Sequence, residues 1–190
     1  MKKSRAQLDR EIAEALSKKK PSGKSRIAHA TKKDYDWDSF IDGAALGFWS
    51  SPYVSEVLNL YEDAQEKRRA GNTRAADALE AAYRALKPSP GGTWDIPETP
   101  PAAYVVAKKF TKAVKEKLTE DELDDISSSF SARDAGYYGA MQSQGEGVGW
   151  HDEGVRTDPP TGFDWDPKIQ NALYTVIRRG AREAGVKLPR

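Results

Sequence analysis

The sequence predicts a mainly α, bundle-like single domain behind a basic N-terminal helix or arm, with a glycine-rich loop or short β-hairpin near 145–155. Three observations carry this reading. Apolar residues recur at three- and four-residue spacing in segment after segment, as amphipathic helices require. Most of these segments open on a capping residue and close on glycine or proline. Charge is also divided along the chain. Residues 1–33 hold eleven Lys/Arg against three acids, net +8, whereas residues 34–190 hold nineteen against twenty-six, net −7. That division sets 1–33 apart from a globular unit over 34–190, which is long enough for one core.

The first predicted helix runs from Ser4 to Lys19. Ser4 and Gln7 form a capping-box pair, and Leu8, Ile12 and Leu16 make a narrow apolar stripe. Three large apolar residues leave such a helix marginal unless it lies on a surface. Lys18, Lys19, Lys20, Lys24 and Arg26, among Pro21, Ser22 and Gly23, then read as a cationic linker that ends at Lys32 and Lys33.

In the body, Asp38 or Ser39 is expected to cap a helix carrying Phe40, Ile41, Ala44, Leu46 and Phe48. Ser51-Pro52 reads as a restart, with Pro at the first position of a new helix. That helix carries Val54, Val57, Leu58, Tyr61 and Ala64, and Lys67-Arg68-Arg69 and Gly71 end it. Thr73 opens a third helix with Ala75, Leu79, Ala82, Tyr83 and Leu86 inward, stopped by Pro88; the two should form an antiparallel hairpin. Five prolines over 87–101 predict a stiffened loop pinned by Trp94 and Ile96, or else a proline-rich ligand. A stripe of Val106, Phe110, Val114 and Leu118 predicts a helix from Ala102 with lysines on its other face. Thr119-Glu120-Asp121-Glu122 is a capping box for the next, through Leu123 and Ile126. Another helix follows over 132–144, although Gly136 and Gly139 weaken it. Residues 145–164 differ from what precedes: Gly145 to Trp150 is too glycine-rich for helix and reads as a short strand or an irregular loop. The last helix begins at Asp166-Pro167, carries Ile169, Leu173, Val176, Ile177 and Ala181, and stops at Gly185. No internal repeat is present.

Composition excludes several functions. The chain has no cysteine, hence no disulfide, thiolate metal site or Cys nucleophile. No apolar run approaches the ~20 residues of a membrane span. No apolar stretch follows the charged start, so no signal peptide is read and the cytoplasm is the expected location.

Few motifs point to chemistry. Asp34, Asp36, Asp38 and Asp42 have calcium-loop spacing. Ser39 stands where the turn needs Gly, though, and Ala45 where a closing carboxylate belongs. Gly145-x-Gly147-x-Gly149 lacks both the Lys-Ser/Thr of a P-loop and a strand–turn–helix order. His151, with Asp152, Glu153 and Asp158, offers imidazole and carboxylate close together, suited to a divalent ion or to acid–base work. The other histidine, His29, lies in the linker. No Gly-x-Ser-x-Gly elbow occurs, and Ser127–Ser129 read as a helix end. Trp37, Phe48, Trp49, Tyr137, Tyr138, Trp150, Phe163 and Trp165 have rings that could stack on bases or sugars; core packing is the commoner use.

Two segments resemble a small uncharacterised family of bacteriophages and bacteria. Its members carry a stretch ending G-H-G-x-G-F-W-D, with an Asp ten to fifteen residues earlier. Here Asp134 is followed by Gly145, Glu146, Gly147, Gly149, Trp150, His151 and Asp152. An upstream A-L-W-S-S-like segment of the family resembles Ala44 to Ser51. The family's middle His is Glu146 in this chain, and Trp150-His151 replaces its aromatic pair. The resemblance implies mobile-element ancestry and a compact domain, and no reaction.

These readings lead to a non-enzymatic accessory protein of phage or plasmid origin, with no cofactor. Its basic arm, through Lys18, Lys19, Lys20, Lys24, Arg26, Lys32 and Lys33, would contact nucleic acid or an acidic partner. Two alternatives stand beside it. One is an interaction module docking through Leu8, Ile12 and Leu16. The other is a metal-dependent enzyme centred on residues 145–158.

Overall fold

A computed structural model describes residues 31–145, 149–163 and 166–189. The predicted helix over 4–19, the linker over 18–26, His29, residues 146–148 and Trp165 lie outside the described residues.

The first described helix, α1, spans Trp37–Arg69 without interruption. It corrects two expectations. The cap is Asp36, whose carboxylate accepts from the backbone N–H of Ser39 at 3.0 Å and from its hydroxyl at 2.6 Å. Pro52 lies inside the helix rather than starting a new one. A proline there removes one helical hydrogen bond, at a cost of about 3 kcal/mol. The helix continues because Phe48, Trp49, Tyr53 and Val57 are all buried around Pro52. Each such side chain contributes roughly 1.5–3 kcal/mol.

Gly71 ends α1 in the left-handed region, φ +78°. The N–H groups of Gly71 and Asn72 close back onto Arg68 and Lys67 at 3.1 and 2.9 Å. Asn72 then caps α2, Thr73–Leu86. The predicted hairpin forms: Tyr61 meets Tyr83 across it, and Arg68 meets Asp77 and Glu80 nearer the turn. The proline loop runs over the body, with Trp94 and Ile96 half-buried and the carbonyl of Pro97 accepting from Trp49 Nε1 at 2.7 Å.

The remaining helices follow the capping signals. They are α3 (Pro101–Lys117), α4 (Glu120–Ser129), α5 (Ala132–Ser143) and α6 (Pro167–Glu183). Thr119 and Glu122 form the full reciprocal box at the start of α4. The predicted α3 stripe of Val106, Phe110, Val114 and Leu118 is buried. Phe110 stands at the centre of the core, edge-on to Phe48 at 5.4 Å and to Phe163 at 5.2 Å between ring centroids. Among the described residues no strand occurs, and none of their helices is long and apolar enough to cross a membrane.

α5 packs on the first half of α1 through glycine. A β-carbon on Gly43 would lie 1.8 Å from the carbonyl oxygen of Arg133; one on Gly136 would lie 2.0 Å from that of Phe40. Gly136 lowers helix propensity locally, yet only an absent side chain lets the two backbones approach this closely.

Candidate functional site

The two segments that carry the family resemblance meet in space. Ala44 to Ser51 lies on α1 where α5, containing Asp134, crosses it. Gly149 and Trp150 complete the joint. The N–H of Trp150 donates to Gln142 Oε1 at 3.0 Å, and its buried indole donates from Nε1 to the carbonyl of Ala135 at 3.0 Å. Gly139 leaves room for that ring: a β-carbon there would sit 2.8 Å from Cζ2. Gly149 is equally constrained, because a β-carbon would meet Gln142 Oε1 at 2.3 Å. Among the described residues, 149–154 form turns rather than a strand, and Gly149 and Trp150 serve packing.

Among the described residues, the motif's polar side chains make separate local contacts. Asp134 accepts from the hydroxyl of Ser131 at 2.7 Å and lines a groove between α1, α5 and the proline loop. His151 contacts Asp158 through Nε2 instead, and both side chains are about half exposed. Asp152 and Glu153 are exposed in the tight turn that Gly154 (φ +86°) closes. No group of three His, Asp or Glu that could hold a metal ion occurs among the described residues. Glu146 and Gly147 lie outside the described residues. Gly145 ends α5 in the left-handed region, φ +84°.

The groove itself consists of two adjoining cavities of ≈270 and ≈320 Å³ that share Ser50, Ile96 and Tyr137. Among the described residues, the buried hydroxyls of Ser50 and Tyr35 have no hydrogen-bond partner. Burial, and Asp36 beside it, push the Tyr35 phenol well above its ordinary range.

The calcium-like acids have local uses. Asp34 accepts from Thr31 Oγ1 at 2.7 Å, while Asp36 caps α1. Hydrogen bonds from the Ser39 hydroxyl and N–H hold the Asp36 carboxyl below its usual range. Of the predicted aromatic contacts, Trp37, Phe48, Trp49 and Trp150 are buried, and Tyr137, Tyr138 and Phe163 are half-buried.

Of the basic residues singled out, Lys18, Lys19, Lys20, Lys24 and Arg26 lie outside the described residues. Lys32 is tied to the body. Its N–H donates to Glu120 Oε2 at 2.6 Å, its ammonium donates to the carbonyl of Lys115 at 2.7 Å, and its own carbonyl accepts from Trp37 Nε1 at 2.7 Å. Lys115 in turn lies over the Trp37 ring, 4.5 Å from the centroid. Lys33 is exposed.

A second basic feature was not read from the sequence. After α6, Gly185 (φ +78°) turns the chain, with Val186 N–H bonding the carbonyl of Ala181 at 2.8 Å. Lys187 and Leu188 then form the shared wall of two cavities. Arg178, Arg182 and Val186 line the first, of ≈360 Å³. Arg74, Ala75 and Ala78 of α2 help line the second, of ≈300 Å³. Among the described residues, no Asp or Glu side chain lines either. The four-residue spacing of Arg178 and Arg182 is a visible signal for one helix face. Nothing in the sequence brings Arg74 to it.

Comparison with protein-family models, with curated proteins and with solved structures finds no match to this chain.

Proposed function

We propose that this chain is a non-enzymatic accessory protein of phage or plasmid origin that contacts nucleic acid through its basic N-terminal arm. The observation that carries the reading is the partition of charge, +8 over residues 1–33 against −7 over the rest. Such an arm seeks polyanions, and the acidic body repels them elsewhere. Lys32 is held at the end of α3, against the carbonyl of Lys115, and α3 also carries exposed Lys108, Lys109 and Lys112. The phage or plasmid origin rests on the family resemblance alone.

A gel-shift titration tests the arm. The unmodified full chain should retard duplex DNA of any sequence at 50 mM salt, and markedly less at 200 mM. A full chain with Lys18, Lys19, Lys20, Lys24 and Arg26 all changed to Gln should need at least ~10-fold more protein. Equal retardation by both chains, or none by either, would count against the reading.

A further inference from the structure

We propose that the cleft between the start of α2, the end of α6 and the 186–189 tail binds the phosphodiester backbone of nucleic acid. This inference rests on the nucleic-acid reading above and adds a second contact, on the body itself.

The argument begins with charge. Arg74, Arg178, Arg182 and Lys187 face two adjoining cavities, and none of them forms an ion pair among the described residues. The nearby acids of α2 are already engaged. Asp77 and Glu80 pair with Arg68 at 3.1 and 2.7 Å, and Glu80 also takes Arg84. Glu183 is the one acid within α6, and it is exposed. Four neighbouring cations repel one another, so gathering them on a body of net −7 favours a ligand that supplies negative charge.

Geometry then narrows the ligand. Three of the four cations are arginines. A guanidinium offers a planar fork of donors that matches a phosphate bidentately, whereas lysine acts as a point charge. The arm differs in kind, with eight Lys and three Arg over residues 1–33. The cleft is also preformed. Leu188 packs against the core and holds Lys187 between the two cavities, and Arg178 and Arg182 project one turn apart on α6. The small Ala75 and Ala78 keep the second cavity open to a backbone.

Anisotropy of a fluorescein-labelled 20-nucleotide DNA, single-stranded and duplex, titrated with full-length protein between 50 and 300 mM KCl, tests the proposal. Circular dichroism should confirm that each variant is folded. Arg178→Glu with Arg182→Glu should weaken binding at least ~10-fold at 50 mM, and the salt slope should fall by about 2. Arg178→Lys with Arg182→Lys keeps the charge and removes the fork; a loss of about 3–5-fold is expected. The arm variant described above serves as the second axis. If it weakens binding while the Glu pair leaves affinity and slope unchanged, the cleft proposal is overturned and the arm reading stands. If the unmodified chain binds neither DNA, both fail. If the Lys pair binds like the unmodified chain and poly-glutamate displaces the DNA at equal charge, the site is a general anion surface and the phosphate assignment is wrong.

Discussion

Gly136 of α5 lies against the carbonyl of Phe40 of α1, so close that a β-carbon at position 136 would fall 2.0 Å from that oxygen. Gly43 mirrors the contact against Arg133. This reciprocal pair sets the approach of the two helices that carry the resemblance motif.

Replacing either glycine by alanine should therefore force the helices apart. Gly43→Ala and Gly136→Ala should each lose about 3 kcal/mol or fail to fold. Gly71→Ala, where space is open and only the left-handed backbone objects, should lose about 1 kcal/mol. Urea midpoints compare them, and equal losses at all three positions would show that the close approach is not needed.

Among the described residues two buried hydroxyls lack partners, and removing them should help. Ser50→Ala and Tyr35→Phe are each expected to raise stability by about 1 kcal/mol, because an unsatisfied buried polar group is costly. A lower thermal midpoint for either variant would mean that its hydroxyl is in fact satisfied.

Trp150 and His151 are neighbours with opposite expected sensitivities. Trp150→Phe loses the bond to Ala135 and leaves space above Gly139, so a loss of roughly 3 kcal/mol is expected. His151→Ala, on a half-exposed side chain, should stay within about 0.5 kcal/mol. Comparable losses at both positions would refute the division of this motif into packing and surface residues.

Acid should weaken the caps of α1 and α4. Hydrogen bonds from Ser39 lower the Asp36 carboxyl, and those from Thr119 lower Glu122. A folded-state value below the unfolded one stabilises the fold above the unfolded value. That contribution is lost as pH falls from about 4 through the lowered folded values. A chain with Asp36→Asn and Glu122→Gln should accordingly show a flatter fall in denaturant midpoint between about pH 5 and pH 2. Parallel curves for the two chains would remove these caps as a source of acid sensitivity.

Most helix ends were legible from residues alone. Thr119 with Glu122, Asp166 with Pro167, and Gly185 act within one turn of backbone, so their meaning survives without knowledge of the fold. The buried stripe of α3 was legible for the same reason, since its period is the helix's own. Ser51-Pro52 misled because the cost of an interior proline is local, whereas the compensation comes from Trp49, Tyr53 and Val57 packing against distant segments.

By itself, the sequence determined where most of the described helices start and stop, which faces of α3 and α6 turn inward, and how charge divides between residues 1–33 and 34–190. Helix ends and faces depend on neighbours within about four residues, and charge division is a sum over composition. Only the tertiary structure decided that Gly43 and Gly136 are contact points, that Trp150 belongs to the core, and that His151 pairs with Asp158 while Asp134 pairs with Ser131. It alone set Arg74 on a cavity that shares Lys187 and Leu188 with the one lined by Arg178 and Arg182. The physical reason is that most of these depend on groups far apart in the chain, whose approach is fixed by packing.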